Sequence, residues 1–277
     1  MKTAALCEPR LMAVLNITPD SFSDGGKYLK PAAAVERALQ YVSEGATIID
    51  MGAESSRPGS EGVPPDEQLR RLLPVLKAFR RRSNVAVSID TRSSRVARAC
   101  LAEGATIIND ISALRHDRGM LKAMAQSSCS IVLMHMRGTP RTMQRRPRYK
   151  DVVGEVLQFF RERLKVCADA GIDPKRIWID PGIGFGKTLE HNLAILNGLS
   201  AFKALGRPIV AGVSRKSFIG TLTGEQIPER RVLGSVVAGM LAFENGADIL
   251  RVHDVAEHAG ALKLLLAVRR AGNEPIP

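Results

Sequence analysis

The sequence contains few aromatic residues and no long apolar run. Phe, Trp and Tyr make up 4% of its 277 residues, so it offers little surface on which nucleic-acid bases could stack. Nowhere does it approach the ~18 to 20 consecutive apolar residues that a membrane-spanning helix needs. Its first ten residues, MKTAALCEPR, lack the apolar segment of a secretory signal. We therefore expect neither a membrane protein nor a secreted one.

Cysteine is also scarce, and its spacing excludes the common cysteine motifs. The four cysteines lie at positions 7, 100, 129 and 167, with no C-x-x-C pair among them. Such scattered thiols favour a cytoplasmic protein that has neither a disulfide framework nor a zinc site.

Acidic residues are outnumbered by basic ones. The chain has 28 Asp and Glu against 40 Lys and Arg, which gives a formal charge of +12. This excess suits either a nucleic-acid binder or an enzyme of anionic substrates. Basic residues cluster at 80–82 and in the segment 137–150, but no helix-turn-helix, zinc-finger or RNP-like pattern accompanies them. We favour positively charged loops that attract a small anion, and we expect no nucleic-acid partner.

Eight short apolar runs, rich in Ile and Val, recur along the chain. They do not alternate between apolar and polar residues, which is typical of parallel strands buried on both faces. Segments with apolar residues at helical spacing lie between them, as at Val35, Ala38, Leu39 and Val42. The runs are LMAVLNIT, TIIDMG, VAVSID, TIINDI, SIVLMHM, RIWIDPG, PIVAGVS and DILRVHD.

A partial internal repeat supports this alternation of helix and strand. The segments EGATIID, EGATIIND and NGADILRV each join a helix end, a glycine and a strand. We interpret Gly45, Gly104 and Gly246 as helix-ending residues in a left-handed conformation. Pro74, inside the second helical pattern, predicts a kink or a new helix start. Together these features predict an α/β protein, one (β/α)8 TIM barrel, as a single domain over residues 1–277.

Each apolar run ends at a residue that can bind a ligand or take part in chemistry. In a (β/α)8 barrel, the C-terminal strand ends meet on the face that carries the active site. Two loops on that face, 17–28 and 53–66, exceed the roughly two to six residues usual for such connections, so we expect mobile lids. The strand-end residues are Asn16, Asp50, Asp90, Asn109, His135, Asp180, Lys216, Arg251 and His253.

The segment IWIDPGIGFGKT superficially suggests two nucleotide-binding motifs. A Walker A loop needs glycine at position 181, which is proline, and a dinucleotide fingerprint needs glycine at position 187, which is lysine. Neither motif is therefore present. What remains is a strand ending in Asp180, followed by a glycine-rich turn that lets Phe185 and the backbone approach a ligand closely.

Eight further segments stand in order at the predicted strand ends: NITPDSFSDGG, GAESSRPGS, SIDT, NDIS, MHMRGTPRTMQ, DPGIGFGKT, GVSRKSFIG and RVHDV. In this series of motifs the chain resembles the bacterial dihydropteroate synthase family over nearly its whole length. The resemblance implies a transferase that joins 4-aminobenzoate to 6-hydroxymethyl-7,8-dihydropterin pyrophosphate, giving 7,8-dihydropteroate and pyrophosphate. It also implies Mg²⁺ as cofactor, a homodimer, and sulfonamides as inhibitors.

The pterin ring presents a row of N–H donors, which calls for carboxylate and amide acceptors in a mostly apolar slot. Asp90, Asn109 and Asp180 are suitable acceptors, although a strand-end Asp often accepts only backbone N–H groups. By resemblance, the pterin site comprises Asp90, Asn109, Ile111, Met134, Asp180, Phe185 and Lys216.

The leaving pyrophosphate needs cations around it as the carbon–oxygen bond breaks. By resemblance, Arg57, Arg251 and His253 form this clamp, and Asn16 offers its amide oxygen to Mg²⁺ and joins the pyrophosphate site. Arg251 also has a simpler explanation, an ion pair with the core carboxylate of Asp50. The resemblance implies an SN1-like path, with Arg57, Lys216, Arg251 and His253 as catalytic residues.

The aminobenzoate pocket is expected to form partly from the lids. By resemblance it contains Phe22, Ser56, Pro58, Phe185, Lys216 and Ser217, the last at a helix N-terminus that favours a carboxylate. Family members usually carry threonine at position 56, and serine lacks the methyl group that would pack on the benzoate ring. We expect a slightly roomier pocket, altered affinity for sulfonamides and retained activity.

Other functions fit parts of the sequence. Lys216, with Arg215 beside it to lower its pKa, suits an aldolase-type Schiff base. His135, His253 and two aspartates suggest a barrel metallohydrolase, although the first strand lacks the usual His-x-His. Corrinoid methyltransferases share a pterin-binding barrel, but they have no clear use for Arg57 together with the segment 214–217. A non-catalytic pterin binder also remains open.

Overall fold

The computed structural model describes residues 9–18, 31–55, 59–60 and 62–271. All eight predicted runs form strands, each shorter than the run that predicted it. The strands are β1 (Arg10–Asn16), β2 (Ile48–Gly52), β3 (Ala86–Asp90), β4 (Ile107–Asp110), β5 (Ser130–Met134), β6 (Ile177–Asp180), β7 (Val210–Ala211) and β8 (Ile249–Val252).

The strands form one parallel sheet in the order β6-β5-β4-β3-β2-β1-β8-β7. Its two end strands meet through a parallel bridge between Ile179 of β6 and Ile209, next to β7. At this seam the Ile179 N–H donates to the Pro208 carbonyl over 2.9 Å. The sheet therefore closes into a barrel, which confirms the predicted (β/α)8 architecture.

Helices follow the strands throughout the described residues. The predicted break at Pro74 does not begin a new helix, because one continuous helix runs from Pro65 to Arg80. The helices are α1 (Pro31–Ser43), α2 (Pro65–Arg80), α3 (Ser94–Ala102), α4 (Met120–Ala125), α5 (Val152–Asp169), α6 (Leu189–Asn197), α7 (Ser217–Thr223), α8 (Val232–Glu244) and α9 (Val255–Ala271).

The repeated glycines end helices as predicted. Gly45, Gly104 and Gly246 have φ angles of +110°, +94° and +105°. A side chain is strained in this region of φ, so glycine is the residue that lets the chain leave a helix and enter β2, β4 or β8 within a few residues.

Two apolar regions stabilise the barrel. A large one lies between the strands and the surrounding helices and contains Phe79, Phe160 and Phe202, all fully buried. A smaller one fills the barrel interior and consists of Met12, Ile48, Ile107, Val132, Trp178, Val210 and Ile249. This inner layer closes the barrel below the mouth, so polar groups above it can be reached only from the C-terminal face.

No helix within the described part of the chain has both the length and the apolar character that crossing a membrane requires.

Candidate active site

Strand geometry places polar side chains directly above the apolar inner layer. Residues two apart on a strand share a face, so the residue two positions after an inner-layer side chain also points into the barrel, nearer its mouth. The inner-layer residues Ile48, Ile107, Trp178 and Ile249 are followed at this spacing by Asp50, Asn109, Asp180 and Arg251.

A hydrogen-bonded network connects four strands at this level, β2, β3, β4 and β8. Arg251 donates through Nε to Oδ2 of Asp50 over 2.7 Å and through Nη2 to Oδ2 of Asp90 over 3.0 Å. Asn109 donates through Nδ2 to the same Asp50 oxygen over 3.2 Å. The ion pair between Arg251 and Asp50, which the sequence offered as an explanation for this arginine, is therefore present.

Burial dominates the electrostatics of Asp90 and Asp180, the two aspartates predicted to accept hydrogen bonds from a ligand. It raises the pKa of Asp90 to about 7, with Arg251 opposing the shift and Asp50 adding to it. Burial also raises the pKa of Asp180, opposed first by the Gly182 N–H, which donates to Asp180 Oδ1 over 2.7 Å, and then by Lys216. Each carboxylate thus lacks enough partners in the protein to offset its lost hydration, which suits a site that awaits hydrogen-bond donors.

An apolar slot lies beside these acceptors. Ile111, Met134 and Phe185 pack into one buried cluster with Met136 and Met143. The three apolar residues that the resemblance assigned to the pterin site are therefore brought together from β5 and from the loops after β4 and β6.

Lys216 lies at the edge of this slot. Its Nζ is 4.1 Å from the centre of the Phe185 ring, a cation–π distance. Burial, and after it Arg251, lower the pKa of Lys216 to about 8, although Asp180 and Asp90 oppose the shift. Lys216 therefore meets the acceptors and the cation Arg251 at one point of the barrel mouth.

Arg215, next to Lys216, faces a different part of the structure. Its guanidinium forms an ion pair with Asp254, and its backbone N–H donates to Ser235 Oγ over 2.8 Å. Its φ of +58° is unusual for a residue with a side chain and turns the chain sharply between β7 and α7. The expectation that Arg215 lowers the pKa of Lys216 is wrong, since burial and Arg251 do so.

His253 and Asn16 occupy neighbouring strand ends at the mouth. Nδ1 of His253 lies 3.0 Å from Ser214 Oγ, a hydroxyl that also accepts the His253 backbone N–H over 3.2 Å. Asn16 and Asp90 flank Gly52, where an added Cβ would lie 3.9 Å from Asn16 Oδ1 and 3.5 Å from Asp90 Cβ. The chain therefore brings the predicted metal residue next to the acidic and basic network.

The fit of Mg²⁺ to this corner can be judged from the donors present. No group of three or more His, Cys, Asp or Glu able to hold a metal occurs within the described ranges. Asn16 offers one amide oxygen, a hard donor of the kind Mg²⁺ prefers, and Mg²⁺ commonly takes its other ligands from water and substrate phosphate. The residues present therefore fit a cation that arrives with a phosphorylated substrate.

The glycine-rich turn after β6 is tightly fixed from below. Gly182 has φ +69°, and a Cβ there would lie 1.9 Å from the His135 carbonyl oxygen, so no other residue fits. The buried Lys187 donates from Nζ to the carbonyls of Gly182 and Phe185 over 2.9 and 3.0 Å, and Nζ lies 3.0 Å from Nδ1 of His135. These contacts hold the turn that carries Phe185.

His135 does not face the site as a ligand would. It is buried, packs edge-on against Phe159 at 4.8 Å, and contacts Lys187. Burial and then Lys187 lower its pKa to about 2, which keeps the imidazole neutral. His135 is therefore a buried structural residue, which removes one element of the metallohydrolase interpretation.

Four predicted site residues, Phe22, Ser56, Arg57 and Pro58, lie outside the described residues. The described edge of the second long loop contacts the segment after β5, where the Gly59 N–H donates to the Pro140 carbonyl over 3.0 Å. Ser217 begins α7 and is exposed, directly after Lys216.

Sequence reasoning missed two residues that organise the site, Asp50 and Lys187. Asp50 was recognised as a strand-end residue on the active-site face and as an alternative partner of Arg251, but it was given no role in binding or catalysis. Its spacing of two from the inner-layer residue Ile48 was a usable signal. Lys187 was used only to reject a nucleotide motif, and no pattern in the sequence indicated that its ammonium is buried.

The barrel mouth therefore combines acceptors, an apolar slot and cations. The slot can hold a flat ring whose N–H groups face Asp90, Asn109 and Asp180, while an anionic group lies near Arg251 and His253. This arrangement can bind an anionic, donor-rich heterocycle and stabilise negative charge that leaves it.

Comparison with known proteins agrees with this chemistry. The family model described as pterin binding enzyme matches residues 12–253. Dihydropteroate synthase of Escherichia coli (strain K12) is 43% identical over 266 residues, covering 96% of this chain and 94% of that protein.

Solved structures are equally similar. Dihydropteroate synthase of Xanthomonas albilineans with 4-aminobenzoic acid has a TM-score of 0.90 and 46% identity, over 98% of this chain and 95% of that one. The same enzyme with 7,8-dihydropteroate has a TM-score of 0.86 and 43% identity, over 99% and 97%. The Yersinia pestis dihydropteroate synthase with a sulfonamide drug has a TM-score of 0.91 and 41% identity, over 97% of both chains.

Proposed function

The chain belongs to the family of pterin-binding enzymes, and from this premise we propose that it is a transferase with dihydropteroate synthase activity. It condenses 6-hydroxymethyl-7,8-dihydropterin pyrophosphate with 4-aminobenzoate, giving 7,8-dihydropteroate and pyrophosphate in folate biosynthesis. The observation that carries the proposal is the set of buried acceptors, Asp90, Asn109 and Asp180, beside the cations Arg251 and Lys216 at one barrel mouth. A pterin that is rich in N–H donors and bears an anionic leaving group matches both the acceptors and the cations.

The pterin ring binds in the apolar slot. Asp180 keeps Oδ2 available, since Gly182 occupies Oδ1, and its raised pKa falls when ring N–H groups donate to it. Asn109 accepts through Oδ1, and Met134 and Ile111 pack against the ring. These contacts orient the methylene carbon toward Arg251 and His253.

Loss of pyrophosphate is the step that needs most stabilisation. Arg251, His253 and, by resemblance, Arg57 hold the leaving group and offset the charge that grows on its oxygen. Mg²⁺, held through Asn16, would neutralise further phosphate charge when bound. The dihydropterin delocalises positive charge from its methylene carbon, so the path is SN1-like and the neutral amine then attacks without a strong general base.

The aminobenzoate enters last. Its carboxylate meets Lys216 and the N-terminal end of α7 at Ser217, and its ring packs on Phe185. Phe22, Ser56 and Pro58 complete the pocket by resemblance. Sulfonamides, which mimic aminobenzoate, are therefore expected inhibitors, with an affinity that reflects the smaller side chain of Ser56.

The direct test is pyrophosphate release from the purified protein with the dihydropterin pyrophosphate and Mg²⁺, with and without 4-aminobenzoate. Release that depends on the amine and yields a stable pterin–aminobenzoate adduct supports the synthase. Binding of the pterin ester without adduct formation would leave a methyltransferase domain or a non-catalytic pterin binder, both of which the comparisons disfavour.

The outer helices support the homodimer that the resemblance implies. On α8, Leu233, Val237 and Leu241 are 79%, 51% and 46% exposed and lie at i, i+4 and i+8 on one face. On α9, which packs against α8, Leu264 and Val268 are 69% and 63% exposed. Apolar exposure of this size on adjacent helices is typical of a protein interface.

The measurement for the dimer is the molar mass in solution by light scattering. Val237→Glu should convert a dimer to a monomer, because it places a charge in the middle of the apolar face. A monomeric parent protein would refute the dimer. Cytoplasmic location remains a prediction from the cysteine pattern.

A further inference from the structure

One carboxylate oxygen connects the pterin acceptors to the phosphate-binding cation. Oδ2 of Asp50 accepts a hydrogen bond from Asn109 over 3.2 Å and another from Arg251 over 2.7 Å. The two donors lie on β4 and β8, 59 and 201 residues from Asp50 along the chain. Asp50 itself is completely buried in the middle of β2.

The first of these bonds determines what Asn109 can do. An asparagine side chain has one donor end and one acceptor end. Because Nδ2 donates to Asp50, the acceptor Oδ1 is directed elsewhere, and no described residue donates to it. A rotation of the amide by half a turn would oppose its oxygen to the Asp50 carboxylate and present a donor to a ring that itself donates.

The second bond determines the plane of the Arg251 guanidinium. Asp50 engages Nε and Asp90 engages Nη2, two points that fix a rigid planar group. Nη1 makes no hydrogen bond within the described residues and is the free corner of the guanidinium. Without the Nε contact, Arg251 would pivot about Asp90.

The other oxygen of Asp50 shows that this arrangement is not optimised for stability alone. Oδ1 is buried without a hydrogen-bond partner among the described residues, as is Oγ of Ser88, which is paired with Asp50 in the β2–β3 register. A buried carboxylate oxygen without a partner costs free energy. The interactions of Asp50 are therefore concentrated on Asn109 and Arg251.

We infer that Asp50 is a positioning residue that, through one oxygen, orients the pterin acceptor Asn109 and the phosphate cation Arg251 together. The inference rests on the proposed function, which gives those two residues their ligands. Asp50 lies between the two in the same layer of side chains and acts through them. Its loss should therefore weaken two chemically different contacts at once.

The experiment measures dissociation constants for two probes by calorimetry with Mg²⁺ present. 6-Hydroxymethylpterin reports the ring contacts, and the ratio of its dissociation constant to that of its pyrophosphate ester reports the phosphate contacts. The variants are Asp50→Ala, which removes both bonds, and Asp50→Asn, whose amide oxygen can replace Oδ2. Ser88→Ala and Ile48→Ala are controls, the first for a buried polar group beside Asp50 and the second for lost packing on the same strand.

We expect Asp50→Ala to raise the dissociation constant of 6-hydroxymethylpterin roughly tenfold. We also expect it to lower roughly tenfold the ratio of that constant to the constant of the pyrophosphate ester, since a buried acceptor that served two donors is gone. For Asp50→Asn, both the dissociation constant and the ratio should lie between those of Asp50→Ala and those of the wild type. Ile48→Ala should lower the melting temperature while both values stay within about twofold of wild type. If Asp50→Ala does not fold, Asp50→Asn carries the test, with expected losses of about threefold in each value.

Loss of only one of the two contacts, or affinities unchanged in both Asp50 variants, would overturn the inference. If Ile48→Ala reproduces both losses, a general loosening of β2 explains them and the inference fails as well. A wild-type protein that binds neither probe would instead refute the proposed function, so the two failures are distinct.

Discussion

Lys187 offers a sharp test of the electrostatics beneath the active site. It is 3% exposed and forms no ion pair with a carboxylate among the described residues. Its ammonium contacts three carbonyls and the neutral imidazole of His135. Burial lowers its pKa from 10.5 to about 7, opposed by the more distant Asp180. In the unfolded chain this lysine regains its ordinary pKa, so folding stability is linked to pH through it.

The sign of the linkage follows from the proton count. Below pH 7 both states are protonated, and the folded protein bears the full cost of a buried charge. Between about pH 7 and 10.5 the unfolded chain holds one proton more than the native state, so stability rises with pH. One proton corresponds to about 1.4 kcal/mol per pH unit, which gives about 2 kcal/mol between pH 7 and 9 when half-titration at pH 7 is included.

Lys187→Met removes the titrating group and keeps an unbranched side chain of similar length. Urea unfolding at pH 6 to 9 should show that the wild type gains about 2 kcal/mol relative to this variant between pH 7 and 9. Subtracting the free energy of unfolding of the variant from that of the wild type removes the contributions of Lys216 and of the other groups that titrate in both proteins. Lys122→Met, which changes an exposed lysine on α4, should retain the wild-type pH dependence. A difference that stays constant over this range would show that Lys187 is not a buried titrating amine, and would refute the reasoning.

Three further predictions concern the mouth of the barrel. Asp180→Ala should weaken binding of a pterin analogue by on the order of 2–5 kcal/mol, because a row of ring donors loses its acceptor; unchanged affinity in calorimetry would exclude that role. Lys216→Ala should raise KM for 4-aminobenzoate more than it weakens pyrophosphate binding, and the reverse would assign this lysine to the phosphate contacts. Burial raises the pKa of Asp90 to about 7, so the native state keeps a proton that the unfolded chain loses above about pH 4. Ionisation of Asp90 should therefore lower the free energy of unfolding as the pH rises from about 4 to 7. Asp90→Asn should lack this contribution in urea unfolding, and an unaltered pH dependence would contradict it.

The sequence by itself determined the architecture and the face of the barrel on which the candidate site residues lie. Eight apolar runs without alternation specify buried parallel strands, and the helical segments between them impose the barrel connections, so all eight strands were predicted. Ile111, Met134 and Phe185, which the resemblance assigned to the pterin site, pack into one buried cluster. These results follow because strand ends of a parallel barrel meet at one face whatever their separation along the chain.

Only the tertiary structure decided which strand-end side chains pair with one another. Arg251 pairs with Asp50 and Asp90, while Arg215 turns away to Asp254 because the chain takes a positive φ there. Lys187 is buried because the turn after β6 folds back over it, a contact set by the glycine conformations and not by any local pattern. Hydrogen bonds depend on angles and on distances of a few tenths of an ångström across the barrel. Periodicity specifies the face on which a side chain lies, but only the closed barrel fixes its partner.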